Sequence, residues 1–391
     1  MKKSLSIIAL AALAFVGCSK VTPESPKTVE TKEKDVPIEF NAYNYLSQTK
    51  AGDNTEFDKS KKFNVWSYLS DGDFSASSAY LYFTDEVSYS NDKWAPAKTY
   101  YWPKTGKLSF FAVYPTDVTG VALDTDNSNL KITEYTVKAS YADQSASGVE
   151  NDLMLAEQKN QTSNTSDNTT YFTEGVSLLF KHQLAKVKFE GKLRNDKSYD
   201  STNETIKVGD ITFTAVIDEI SLSGLNNIGT LALSGSAYTW TPKEDQEKVS
   251  SEKIVDMNYS KALDEEFALS SALPAKEYKK FENEYYVLPQ TLDNNAKITV
   301  KYTVYAINSD NNKVISKTVY DGAEGNHPAF TKELNSFSQN KANLTEWKIN
   351  TIYDYKFILD PFEGQILFDP AVAPWDEADA AEEYIHKDVD Q

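Results

Sequence analysis

From Val36 onward the chain is written as short apolar–polar alternations separated by turn residues, and that period of two limits what it can fold into. Ala185, Val187 and Phe189 alternate with Lys186, Lys188 and Glu190, while Phe63 and Val65 share one register and Asn64 and Trp66 the other. Side chains that swap faces at every residue build strands with one buried side. The same grammar recurs in Val36–Tyr43, Lys107–Pro115, Leu130–Tyr141, Ala296–Ile307 and Trp347–Leu359, with Gly, Pro, Asn and Asp between the runs. With 24 Tyr and 19 Phe the chain is rich in residues that suit a pleated, half-buried surface. Residues 243–280 are charged and Lys/Glu-rich, with a helical pattern only around 260–270. No heptad or short repeat is present. The expectation is an all-β chain of two antiparallel β-sandwich domains, 36–175 and 176–391, the second ending in an acidic tail that is a short helix or unstructured.

A formal charge of −18 repels nucleic-acid phosphates and anionic lipid headgroups, which argues against nucleic acid as a partner. One cysteine makes no internal disulfide and no Cys-based zinc site, and only His182, His327 and His386 are available as imidazole ligands. The sequence carries no GxSxG, HExxH, GxxxxGK[ST] or GxGxxG, and no spacing singles out one carboxylate pair for glycoside hydrolysis. Asp71 with Asp73, and Asp124 with Asp126, lack the glycine and terminal glutamate of a full calcium loop and read as solvated turns. Neither an enzyme nor a cofactor is expected. Trp94, Tyr100, Tyr101 and Trp102 crowd one stretch. Such rings suit a sandwich interior, which is the preferred reading; exposed, they would form a glycan-stacking platform, which is the alternative.

The N-terminus has its own logic. Lys2 and Lys3 precede an apolar run from Leu5 to Val16 that falls short of the ~20 residues a helix needs to cross a bilayer. It fits the apolar region of a signal peptide, residues 1–17. The run ends Phe15-Val16-Gly17-Cys18, which resembles a bacterial lipobox and assigns Cys18, the sole cysteine, to lipidation. Residues 18–35 are polar and proline-containing and read as a flexible tether between a lipid anchor and a folded body.

Several segments in order, namely Val36–Tyr43, Thr49-Lys50-Ala51, Phe63–Leu69, Tyr100–Pro115, Asp152–Gln158, Val176–Gly191, Ile220–Leu225, Tyr238–Pro242, Tyr285–Gln290 and Ile298–Val304, resemble the fimbrillin family of Bacteroidota lipoproteins, its minor-fimbria-like branch in particular. The resemblance implies two transthyretin-like β-sandwich domains, export to the outer membrane, and a fimbria that supports adhesion. It implies a maturation protease that removes the lipidated segment with the first strand, and other subunits that refill the vacated groove with a C-terminal strand. Strand addition of this kind satisfies an open sheet edge with main-chain bonds and alternate side chains. On this chain the removable strand is Val36–Tyr43. The cut maps to Lys50 and Ala51, lysine standing where the family commonly has arginine, and the donor strand maps to Ile366, Leu367 and Phe368. Asp200-Ser201-Thr202 resembles an O-glycosylation acceptor. Stalk, tip and anchor roles all remain open, as does a ligand on a host or bacterial surface.

Overall fold

The computed structural model describes residues 36–45, 55–137, 151–163, 175–195, 199–200, 205–243, 248–250, 252–257, 259–281, 284–339 and 342–374. These residues are all-β, with two single 3-10 turns at Leu269–Ser271 and Leu334–Ser336. The 260–270 segment holds the first of these turns in place of an α-helix. No helix among the described residues is long and apolar enough to cross a membrane.

In chain order the first strands are β1 (Phe40–Asn44), β2 (Thr55–Glu56), β3 (Lys62–Ser70), β4 (Tyr80–Ser90), β5 (Lys93–Pro96), β6 (Lys107–Tyr114), β7 (Val121–Asp124), β8 (Asn129–Thr136), β9 (Met154–Gln161) and β10 (Val176–His182). Next come β11 (Ala185–Leu193), β12 (Tyr199–Asp200), β13 (Thr205–Val208), β14 (Ile211–Ser223), β15 (Ile228–Ser234), β16 (Ala237–Pro242), β17 (Glu252–Asp256), β18 (Lys279–Lys280) and β19 (Tyr285–Val287). The chain continues with β20 (Lys297–Asn308), β21 (Val314–Tyr320), β22 (Phe330–Glu333), β23 (Ser338–Gln339), β24 (Ala342–Asn343), β25 (Thr351–Asp360) and β26 (Gln365–Pro374).

The first sheet runs β10-β9-β6-β3-β4-β5-β1-β2, and a further pairing of β1 with β10 closes it on itself. The alternation read in Lys62–Ser70 is realised, with Phe63, Val65 and Ser67 buried and Asn64 and Trp66 half-buried. Val176–His182, assigned from sequence to the second domain, pairs inside this first sheet with β1 and β9. The next strand, β11, begins at Ala185 beyond Gln183 and Leu184 and belongs to a different sheet.

β11 lies parallel to β25 from Ala185↔Thr351 to Leu193↔Leu359, and β26 forms the outer edge of that sheet. A seven-stranded sheet built on β14 and β20 packs against it through Val187, Phe189, Ile217, Ile298, Tyr355 and Phe357. The lysines and glutamate of β11 are not solvated as the alternation suggests. Lys186 and Glu190 are 5% and 7% exposed. Glu284 bridges Lys186 and Lys188 at 2.6 and 2.9 Å, Lys356 pairs with Glu190 at 3.0 Å, and Tyr278 covers Lys192 and Lys356 with its ring. Buried charges persist only when paired in this way.

A sheet of order β16-β15-β8-β7 joins strands from the two halves. Its central pairing sets Ile228 against Thr136 and Leu231 against Ile132. Across it, Tyr238 OH donates to Asn129 Oδ1 at 2.8 Å, Trp240 Nε1 to the Gln183 carbonyl at 2.6 Å, and Lys243 pairs with Glu134 at 2.6 Å. Beneath lies a core shared by Phe111, Val113 and Leu155 with Leu184, Leu231 and Ile352.

β14 shifts register between Ile217 and Glu219, leaving Asp218 outside the ladder with β20. Thr303 donates to Asp218 Oδ2 at 2.7 Å, while Oδ1 is buried without a hydrogen bond. Burial, reinforced by Asp321, pushes this carboxyl up to about 6. The folded protein therefore binds the proton more tightly than the unfolded chain. The resulting stability is fully present below the ordinary carboxylate value and is lost as pH rises through about 6. Asp218→Asn is expected to stabilise the protein at pH 7.5 by about 1–2 kcal/mol, allowing for partial exposure, with the advantage gone below pH 4. Thermal melts at both pH values check this, and equal gains at both would count against it.

Candidate functional site

The site is the slot that the first strand occupies. Three residues of alternating register point inward: Ile38, Phe40 and Ala42 are 2%, 1% and 3% exposed. Phe40 meets Phe110 edge-on at 5.3 Å between ring centres and Phe63 at 6.5 Å. Around them Phe63, Trp94 and Phe180 pack ring on ring, with centroids 5.4 Å apart for Phe63–Trp94 and 4.9 Å for Phe63–Phe180. Such aromatic contacts add to the area they bury.

The backbone of this segment is satisfied on both sides. On one side β1 runs parallel to β10, from Phe40↔Val176 to Asn44↔Phe180, with the Val176 N–H donating to the Glu39 carbonyl at 2.8 Å and the Tyr45 N–H to Phe180 at 2.8 Å. On the other, the Ile38 N–H donates to Tyr100 at 2.8 Å, the Trp102 N–H to Val36 at 3.0 Å and the Phe57 N–H to Ala42 at 3.0 Å. Gly175 lets β10 start this close: its φ is +81°, and a Cβ there would lie 2.9 Å from the Glu39 carbonyl and the Phe40 nitrogen. Outside the slot, Lys93 forms an ion pair with Glu39.

In the second half of the chain, β26 pairs with β25 alone among the described strands, from Asp360↔Gln365 to Thr351↔Pro374. Ile366 is 6% exposed and joins the second core, whereas Leu367 is 52% exposed. The strand leaves a pinned turn. Asp360, 2% exposed, accepts the Phe362 and Glu363 N–H groups at 2.9 and 3.2 Å and pairs with Arg194, the chain's sole arginine, at 3.3 Å. Tyr302 OH donates to the Gly364 carbonyl at 2.6 Å.

Of the residues singled out from sequence, Ile366 and Leu367 take opposite faces of β26, and Phe368 is in register with Phe357. Cys18, Lys50, Ala51, Ser201, His386 and the acidic tail lie outside the described residues. Trp94 and Trp102 are 4% and 3% exposed within the first core, so neither offers a stacking face to a glycan. Asp124 accepts N–H groups from Asp126 and Asn127 at 3.1 and 2.9 Å, and Asp73 pairs with Lys107 at 2.7 Å. His182 pairs with Asp152 at 2.8 Å and His327 stacks on Tyr320. Among the described residues no His, Cys, Asp and Glu group is arranged to hold a metal ion. Sequence reasoning missed Gly175 and Lys93; an isolated glycine just ahead of a strand run was the available signal for the first.

Compared with known protein families, residues 49–375 match the fimbrillin-like family. The chain belongs to that family. Its members are structural and adhesive proteins of the cell surface rather than enzymes. Among solved structures, this fimbrillin-like chain is similar to a fimbrial protein from Bacteroides vulgatus ATCC 8482, at 14% identity and a TM-score of 0.46, covering 87% of this chain and 99% of that one. It is also similar to a fimbrilin from Porphyromonas gingivalis W83, at 12% identity and a TM-score of 0.41, covering 89% of this chain and 99% of that one. No curated protein matches.

Phe40→Ala removes the largest side chain of the slot and leaves a cavity between Phe63 and Phe110. A loss of about 3–5 kcal/mol is expected in the full-length chain, against a clearly smaller loss for Asn41→Ala on the outer face. Urea unfolding compares the two, and similar losses would mean that the first strand contributes little to this core.

Proposed function

We propose that this protein is a structural subunit of a fimbria, built as two transthyretin-like β-sandwich domains and exported as an outer-membrane lipoprotein on Cys18. A protease then cuts between Lys50 and Ala51, the first strand leaves, and the C-terminal strand of another copy or related subunit takes its place. The subunits chain head to tail through contacts that do not close into a ring. Stalk, tip and anchor positions differ only in which of the two steps is used. The outer surface is left for adhesion.

One observation carries this reading. The first strand closes the first sheet and supplies three buried side chains, yet it precedes the proposed cut, so cleavage would expose a ready-made apolar slot. A vacated slot with unpaired N–H and C=O groups on both sides is a strong template for an incoming strand. β26 supports the donor role because, among the described strands, it is an edge strand held by β25 alone.

The test is the mature N-terminus on cells together with the state of the polymer. The wild-type chain is expected to begin at Ala51 and to run as SDS-resistant ladders when unboiled. Lys50→Ala is expected to retain lipidated Cys18 and to lose at least about nine-tenths of the ladder, as a single cleavage site would require. A wild-type chain that keeps Cys18 and never forms ladders would rule out a stalk built by strand exchange.

A further inference from the structure

We propose that Ile366–Pro370 enters the first-strand slot of a second copy side chain for side chain, in the same direction as β1: Ile366 in the place of Ile38, Phe368 in that of Phe40, and Pro370 in that of Ala42. The proposal rests on the strand-exchange reading above and adds its direction and register.

The two segments share a spacing. Ile38-Glu39-Phe40-Asn41-Ala42 and Ile366-Leu367-Phe368-Asp369-Pro370 both set isoleucine, phenylalanine and a small residue two positions apart, with Asn or Asp at the fourth position. The slot makes this spacing selective. Phe40 is 1% exposed, its ring edge-on to Phe110 and Phe63, and Phe368 is the only phenylalanine in β26. One register therefore fills the aromatic site. The same spacing occurs in Leu108-Phe110-Ala112 and Ile211-Phe213-Ala215, but β6 and β14 have neighbours on both sides. Among the described strands, β26 pairs on one side only.

Direction follows from the two flanking sites. Reversed, the segment would put Ile366 where Ala42 is buried and Pro370 where Ile38 sits, overfilling one site and underfilling the other. Proline at the Ile38 site would also remove the N–H that Tyr100 accepts. In the forward direction Ile366 supplies that N–H. Pro370 then stands where Ala42 offers its carbonyl to the Phe57 N–H, a role proline keeps. In this register Leu367, exposed on its own subunit, replaces Glu39 beside Lys93. The Lys93–Glu39 ion pair is then a property of the uncut chain alone.

Cysteine pairs in the full-length protein, expressed in cells that assemble it, test the register. Asn41 lies opposite Ser177 in the parallel ladder, and neither side chain is in the core. Asp369→Cys with Ser177→Cys should therefore cross-link neighbouring subunits under copper phenanthroline in air, giving ladders that survive boiling and collapse on reduction. Leu367→Cys or Ala371→Cys with Ser177→Cys should yield at least about tenfold less, since both lie a full two-residue step away. If either shifted pair cross-links best, or if unboiled ladders form and no pair cross-links, strand exchange stands and this register is overturned. If no variant forms ladders even unboiled, the strand-exchange reading fails and the register fails with it.

Discussion

The parallel pairing of an early strand against one far later in the sequence is the constraint on which both halves of this chain depend. β1 meets β10 at Phe40↔Val176, and β11 meets β25 at Ala185↔Thr351. Parallel neighbours cannot be joined by a tight turn, so everything between them acts as one long crossover. Each pairing joins residues more than a hundred positions apart, and contacts this distant in sequence slow folding. The two closures also meet: β10 ends at His182 and β11 starts at Ala185, so the strand that completes one sheet leads directly into the strand that founds the next.

That short link would be a weak joint were it alone. The β8–β15 pairing and the shared core around Leu184, Leu231 and Ile352 make it the middle of a broad contact. Trp240 fastens the outer strand of the bridging sheet to the carbonyl of Gln183 itself. Relative motion of the halves would break a ladder and open a buried apolar layer together, which is a larger cost than the polar contacts of a typical flexible interdomain surface.

Much of this fold was legible in the alternation. The faces of Lys62–Ser70 could be read directly, because Phe63 and Val65 recur at the spacing of a half-buried strand. Alternation does not say which strand lies beside which, so β10, read as the opening of the second half, pairs within the first sheet, and the bridge from β8 to β15 was not visible. Nor does it say what covers an outward face. Lys186 and Glu190 look solvated in the sequence and become buried because Glu284, Lys356 and Tyr278 arrive from distant segments to pair with them or lie over them. The slot's occupant was legible as the first strand run Val36–Tyr43, and the structure adds that Ile38, Phe40 and Ala42 are its inward residues. Its closeness to Gly175 and its ion pair to Lys93 depend on three-dimensional proximity that no local pattern records.

The orientation of β1 along β10 has a mechanical consequence. A strand lying parallel to its neighbour and pulled along its own axis loads the ladder hydrogen bonds in shear, all at once, whereas a strand pulled from its end at right angles opens them one by one. Beyond β10 the line of force would pass through Gln183 and Leu184 into β11, itself laid along β25 for nine residue pairs. A molecule tethered at its slot and at its last strand would thus meet tension with two long ladders in series, both oriented to resist sliding rather than peeling.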